Sequence, residues 1–524
     1  MNIGLTVSRN ARRYPERVAL VDANNDRSIK WKDLDRRVNR LAHAMIAKGL
    51  KKGERIAIYS KNCLEYLELF YAGAKTGIVI QPLNWRFTPE EVAFTLKDGA
   101  PRGILVSAEF ARAYREKAGE LPSIEFVVGL GDGHGFPLGY EEWIAGKSEA
   151  EPESVRAVGD DDLYFFCYTG GTTGIAKGVM ITHRGAFTTI MNMSVAERIA
   201  PDDVYLILGQ MFHIAVLLPH SYLFHGARVV ILNFEPRKTL EIIQREHVSS
   251  FLGITTMLNY MLDAPDFAKY DTASLRLIGY GGGPMSVPTL RRAMAAFPNA
   301  GFIQYMGQTE LSIISAVLSP EDHRRGLADK PHLLLSCGKE ALLCECRVVD
   351  DEDNDVPRDG RTAGEMIVRG ENVMKGYWNL PELTAETLRG GWCHTGDMAT
   401  WDEEGYFYVV DRKKDMIVSG GENIYPAVVE QAIYKHPAVL ECAVIGVPHD
   451  TFGETVRAVV VLRPGASATA EELIESCRQN LASYMKPTGV DFVSELPKAP
   501  TGKILKRILR EKYWAGHERR VGGA

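Results

Sequence analysis

Short β-prone runs alternate with amphipathic helical stretches along most of this chain, and that alternation restricts the fold more than any other feature. Leu34, Val38, Leu41 and Met45 recur at helical spacing, and the pattern stops at Gly49. Residues 55–59 read as a strand, 64–75 as a helix and 78–80 as a strand. Thr88-Pro89-Glu90-Glu91 is a helix start: threonine caps, proline sits where no N–H is needed, and Glu91 reaches back to the cap. Further strands are expected at 103–107, 204–208, 228–232, 250–253, 275–280 and 302–305, with helices such as 237–246 and 287–296 separating several of them. Such a chain buries its apolar faces by packing helices on sheets, which predicts an α/β fold.

A chain of 524 residues exceeds the ~250–300 residues that one core supports, so two or more domains are expected. Around 344–350 and 365–369 the helices thin out, which suggests a smaller β-rich portion. The clearest change of composition is Asp411-Arg-Lys-Lys-Asp415. Beyond it the chain restarts, with a helix at 426–435, strands at 442–447 and 456–462, and a second capping box, Thr469-Ala-Glu-Glu472, opening a helix to about 483. The expectation is a large multi-subdomain N-terminal α/β domain, 1–411, and a small mobile C-terminal α+β domain, 412–524, joined by a hinge at 412–415.

The balance of 61 basic against 67 acidic residues argues against a nucleic-acid binder driven by global charge. The eight cysteines are scattered, and Cys344-Glu-Cys346 has neither zinc-ribbon nor redox spacing, so both read as small buried residues on one strand face. The first residues lack a signal-peptide pattern and no apolar run approaches ~18 residues, so a cytoplasmic protein without a transmembrane segment is expected. A peripheral membrane contact and a homodimer stay open.

Residues 168–178, Tyr-Thr-Gly-Gly-Thr-Thr-Gly-Ile-Ala-Lys-Gly, follow the apolar run 163–167. Four glycines let the backbone approach an anion, three threonines add hydroxyl donors and Lys177 supplies charge, with no carboxylate to oppose them. The stretch is not a Walker loop, because Ala176 precedes Lys177 and Gly178 follows it. It is not a dinucleotide fingerprint either, and Gly279-Tyr-Gly281-Gly-Gly-Pro284 comes closer but ends in proline. Alone it divides evenly between a surface turn and a phosphate cradle.

Further signals follow in order: Phe212-His213, Gly281-Gly-Gly-Pro284, Met306-Gly-Gln-Thr-Glu310, Thr395-Gly-Asp397, Arg412, Ser419-Gly-Gly-Glu-Asn423 and Pro500-Thr-Gly-Lys503. Singly each is an ordinary core residue or turn. Together they resemble the adenylate-forming superfamily of acyl-CoA synthetases, luciferases and peptide-synthetase adenylation domains, over almost the whole chain. The resemblance implies two steps. A carboxylate attacks the α-phosphorus of ATP and expels pyrophosphate, leaving an acyl-adenylate; a thiol, usually that of coenzyme A, then takes the acyl group and releases AMP.

The resemblance also implies roles. Thr169, Gly170, Gly171, Thr172, Thr173, Gly174 and Lys177 would hold the triphosphate, although Gly170 and Ala176 stand where serine and proline are commoner. Glu310, with Thr172 nearby, would hold magnesium. Gly281, Gly282 and Gly283 would lie against adenine, and Met306 replaces the aromatic residue usual there, within a motif that includes Gly307 and Thr309. A thioether still contacts a ring favourably, and Tyr305 is the neighbour able to compensate. Asp397 would take the ribose hydroxyls with Arg412 as its partner, and Lys503 would bridge carboxylate and α-phosphate. Lys414 would be the hinge residue, and Ser419, Gly420 and Gly421 would approach the pantetheine arm.

Phe212-His213, rather than the Phe-Asp of amino-acid-activating domains, points to carboxylic-acid–CoA ligases, with His213 guiding the carboxylate and gating the thiol. The absence of a carrier domain after Lys503 is expected to leave a free thiol as acceptor. The residues after His213, 253–257, Gly279 and Tyr280 would line the acyl pocket, and Ile214, Ala215, Val216, Ile254 and Met257 are apolar. A medium- or long-chain fatty acid is the first expectation and an aromatic or alicyclic acid the second. A luciferase-like oxygenase and a non-catalytic nucleotide sensor are the alternatives, and the sensor would be expected to lose Lys503 or Glu310.

Overall fold

The computed structural model describes residues 2–169, 176–283, 285–420, 422–498 and 504–515, without the side chains of Lys414, Asn423 and Asn480. The alternation is present, with strands Arg55–Tyr59 and Gly103–Ser107 around helix Leu64–Thr76. Both capping boxes form. Thr88 Oγ1 accepts from Glu91 N at 3.3 Å while Glu91 Oε2 accepts from Thr88 N at 2.8 Å, opening helix Pro89–Gly99. Thr469 and Glu472 repeat the exchange at 3.2 and 2.8 Å. Their helix ends at Asn480, short of 483, because Leu481 has extended dihedrals. The strand expected at 275–280 runs instead over Leu277–Gly281, since Leu275 N closes a turn onto Thr272 O and Gly281 still pairs with Tyr305.

The chain divides into two compact units, 1–346 with 368–393, and 347–367 with 394–524. The first holds a nine-stranded and a seven-stranded sheet. Its largest apolar cluster joins helices Trp31–Ala47, Leu64–Thr76, His183–Glu197 and Leu217–His225 to inward residues of both sheets. Parallel neighbours such as Leu277–Gly281 and Gly301–Met306 bring strand ends and the turns after them to one edge. The second unit holds most of a four-stranded sheet, in the order Cys344–Val349, Gly364–Gly370, Cys393–Trp401 and Phe407–Arg412, and a separate five-stranded sheet.

By packing, residue 411 falls inside the second unit rather than at its edge. The reason lies in the tethers. Asp411 Oδ2 accepts from Ala427 N at 2.8 Å, Arg510 pairs with Asp415 at 2.8 Å, and Lys413 pairs with Asp351 at 2.9 Å. No helix among the described residues is long and apolar enough to cross a membrane. Cys346 is buried and Cys344 half-buried, both as free thiols, bonded to the carbonyls of Ser315 and Ile314.

Three buried histidines give the first unit a pH dependence. Burial holds His183, His220 and His323 at about 4, below the ordinary histidine range. The unfolded chain binds a proton at each site below about pH 6.5 and the folded chain does not. Their contribution is therefore complete above pH 6.5 and shrinks as pH falls towards 4, by roughly 3 kcal/mol each. Urea midpoints at pH 7 and pH 4.5 should show this loss, and His220→Gln should show a smaller one.

Candidate active site

The antiparallel hairpin of Leu163–Thr169 and Lys177–Thr182 positions the glycine–threonine loop, with Thr169 directly opposite Lys177. Gly170, Gly171, Thr172, Thr173 and Gly174 lie outside the described residues, but both ends of their loop are thus fixed. Lys177 Nζ stands 5.4 Å from the centre of the Tyr377 ring, whose hydroxyl donates to Glu310 Oε1 at 2.7 Å. Tyr377 therefore neighbours both Lys177 and Glu310. Cys167, one strand turn earlier, donates to the carbonyl of Phe212 at 3.8 Å. Burial, with the Glu310 charge nearby, pushes its thiol up to about 12, so it stays protonated. Cys167 thereby ties the loop strand, the His213 turn and Glu310 into one neighbourhood.

Glu310 sits in the 3₁₀ turn Thr309–Leu311, and the next two residues carry unusual backbone: φ is 49° at Ser312 and 96° at Ile313. A β-branched residue in that region is strained, and such strain persists only where the surroundings enforce it. Gly307 is required here, because a Cβ would lie 2.1 Å from Ile313 O. Tyr305 and Met306 point to opposite faces of their strand, as period two dictates. Tyr305 is buried with its hydroxyl on Glu197 at 2.6 Å, so it does not stand in for Met306.

The glycine run has two separate causes. A Cβ on Gly281 would lie 2.5 Å from Tyr305 O, whereas Gly282, at φ 73°, and Gly283 face open space. Among the described residues nothing stands within 4 Å of a Cβ at either of the second pair. Gly281→Ala should push two paired strands apart, costing about 1–3 kcal/mol, and raise KM for ATP; thermal melting and ATP titration check both.

His213 precedes the turn Ile214–Val216, its N–H bonded to Gln210 O at 3.0 Å. Burial holds its imidazole below the ordinary histidine range, with no charge contributing among the described residues. A neutral imidazole offers one donor and one acceptor, which suits handling a carboxylate without a permanent ion pair.

In the second unit Arg412 Nε meets Asp397 Oδ1 at 2.6 Å, and the two are ladder partners on neighbouring strands. Arg412 also donates to Thr395 O at 3.2 Å, and Gly396 N donates to Glu365 at 3.0 Å. Lys414 lies in the 3₁₀ turn Lys413–Asp415. Ser419 pairs with Glu422 and Gly453, and Gly420, at φ 59°, donates to Phe452 O at 2.9 Å. Gly421 and Lys503 lie outside the described residues. Sequence reasoning missed Tyr377, whose Gly376-Tyr377-Trp378 run was the available signal, and Lys506, half-buried and paired with Glu430 at 2.8 Å.

No group of three or more His, Cys, Asp or Glu residues able to hold a metal occurs among the described residues. One oriented carboxylate, Glu310, is nevertheless what magnesium requires when nucleotide oxygens and water complete an octahedron. The residues present fit that ion.

Residues 7–378 match the sequence profile of the AMP-binding enzyme family, and residues 428–503 that of the AMP-binding enzyme C-terminal domain. A feruloyl-CoA synthase of Amycolatopsis sp is 36% identical over 96% of this chain and 98% of its own. A long-chain-fatty-acid–CoA ligase of Mycobacterium tuberculosis is 33% identical over 98% and 99%. An anthranilate–CoA ligase solved in complex with anthranoyl-AMP superposes with a TM-score of 0.88 at 26% identity, covering 98% of this chain and 97% of that one. With the loop hairpin, the Glu310 turn and the Asp397–Arg412 pair in the expected order, the chain belongs to the AMP-binding enzyme family, among the adenylate-forming acyl-CoA synthetases.

Proposed function

We propose that this enzyme joins a hydrophobic carboxylic acid carrying no second charge to coenzyme A, and that the acid is a compact ring acid, aromatic or alicyclic. The observation that supports this most is the neighbourhood of His213. Tyr205, Ala215, Val216 and Leu252 border an apolar cavity of about 10 Å³, room for about one water. No charged side chain lines it. Neither acid fits that space as it stands; a flat ring needs it widened, whereas a long chain needs a whole channel. A fatty acid is the second reading, favoured by the wholly uncharged lining. The named activities of the relatives divide the same way, between feruloyl and long-chain fatty acyl substrates.

In the first half-reaction Thr169, Lys177 and the loop between them hold the triphosphate, Gly282 and Gly283 receive adenine, and Asp397, held by Arg412, takes the ribose hydroxyls. Glu310, oriented by Tyr377, and Thr172 would hold magnesium, which when bound neutralises phosphate charge. His213 orients the carboxylate for attack on the α-phosphorus, and Lys503 stabilises the charge that accumulates there. In the second half-reaction Ser419, Gly420 and Gly421 give backbone access to the pantetheine arm. The hinge at 412–415, dividing 1–411 from 412–524, rests on the place of Lys414 two residues after Arg412, and Lys414→Pro is expected to spare adenylation and damage thioester formation. A panel of ring acids and fatty acids, assayed for AMP formation with CoA, tests the substrate reading; ring acids are expected to be turned over best, and a preference for long chains would overturn it.

A further inference from the structure

Glu197 is the last residue of helix His183–Glu197, and its carboxyl is buried, with the residue 3% exposed. Tyr222 donates its hydroxyl to one oxygen and Tyr305 donates to the other at 2.6 Å. Burial lifts this carboxyl to about 7 although both phenol bonds pull it down. Arg276 does not pair with it. That guanidinium is bidentate to Asp203 at 2.6 Å and reaches only the Glu197 main-chain carbonyl, at 2.8 Å. A buried carboxyl without an ion partner is costly, and nothing assigned above in nucleotide binding uses it.

What the carboxyl secures is the position of two phenol rings. The Tyr305 ring covers Gly279: a Cβ there would lie 2.7 Å from Tyr305 Cε2 and 3.0 Å from its hydroxyl. Tyr222 stacks on Tyr205 at 4.5 Å between centroids, and Tyr205 borders the small cavity shared with Ala215, Val216 and Leu252. Gly253 N bonds Gly279 O at 2.9 Å, closing the same wall. Two tyrosines held by one carboxyl, with Tyr205 stacked on one of them, thus stand behind the residues assigned to the acyl pocket. We propose that Tyr305, held by Glu197, is the back wall of that pocket and sets the length of acid the enzyme accepts. Tyr305 is the specificity-determining residue and Glu197 its positioning residue. This rests on the reading that the acyl group lies between His213 and Gly279.

The test is the ratio of kcat/KM for dodecanoic acid to that for cinnamic acid, read as AMP formation with CoA. Both values come from one preparation, so the fraction of correctly folded enzyme cancels. One methylene discriminates by ~10–200-fold in an apolar pocket, so Tyr305→Ala should raise the ratio at least tenfold. Glu197→Ala should move it in the same direction, and Glu197→Gln, which keeps a hydrogen-bonding partner for each phenol, should hold it near the starting value. Tyr305→Ala changing both acids by one factor would overturn the proposal, as would Glu197→Ala leaving the ratio unmoved. A parent enzyme preferring dodecanoic acid would overturn it too. AMP formation from no acid at all would instead remove the ligase reading, and this inference with it.

Discussion

Replacing Lys503 with alanine is expected to lower ATP–pyrophosphate exchange by ~10²–10³-fold, the usual cost of removing one preorganised charge from a transition state. Conversion of supplied acyl-adenylate to thioester should be nearly unaffected. The half-reactions should separate because Lys503, in the role proposed for it, acts where negative charge gathers on the α-phosphate, and thiol attack on the acyl carbon leaves that charge behind. Among the described residues, Lys498 bridges Ile504, and Leu505 N donates to Pro497 O at 2.8 Å. The following helix, Lys506–Trp514, is anchored by Lys506 on Glu430 and Arg510 on Asp415, each at 2.8 Å. Equal losses in both half-reactions would refute this assignment.

Glu310→Gln should depress adenylation by about a hundredfold at ordinary magnesium concentration and raise the magnesium needed for half-maximal rate. Glutamine keeps an acceptor for the Tyr377 hydroxyl but removes the charge, so packing is retained while affinity for a hard cation falls. Tyr377→Phe makes the companion experiment. It removes one hydrogen bond to a charged group, worth ~1.5–3 kcal/mol, and leaves the carboxylate in place. Its loss should be about tenfold, with a small change in magnesium requirement. If Glu310→Gln leaves the magnesium dependence unchanged, Glu310 does not hold the ion.

Local physics made much of this molecule legible from its residues. Both capping boxes are short-range exchanges, and Thr88 with Glu91 and Thr469 with Glu472 form as written. The glycine at 281 could be read as a close approach, but its partner, the carbonyl of Tyr305, could not. The contacts that organise the site cross long stretches of chain. Tyr377 meets Glu310 across 67 positions and Glu197 meets Tyr305 across 108, so no periodicity or turn chemistry announces them. At the end of its helix Glu197 reads as one more solvated carboxylate, and only the convergence of two phenols shows otherwise. The packing boundary was hidden for a related reason: the charged run at 411–415 looks like a free connector, while Asp411, Lys413 and Asp415 each hold a partner. Substrate identity was least legible, because an apolar lining admits both rings and chains and the volume between the side chains depends on Tyr305.

This enzyme joins an acid to coenzyme A by way of an adenylate. The most direct measurement follows pyrophosphate and AMP separately from ATP and a ring acid, with and without coenzyme A. Pyrophosphate formation should require the acid, and AMP should be released in step with acyl-CoA only when coenzyme A is added. AMP release that proceeds without coenzyme A, or ATP that binds and is never cleaved, would contradict it.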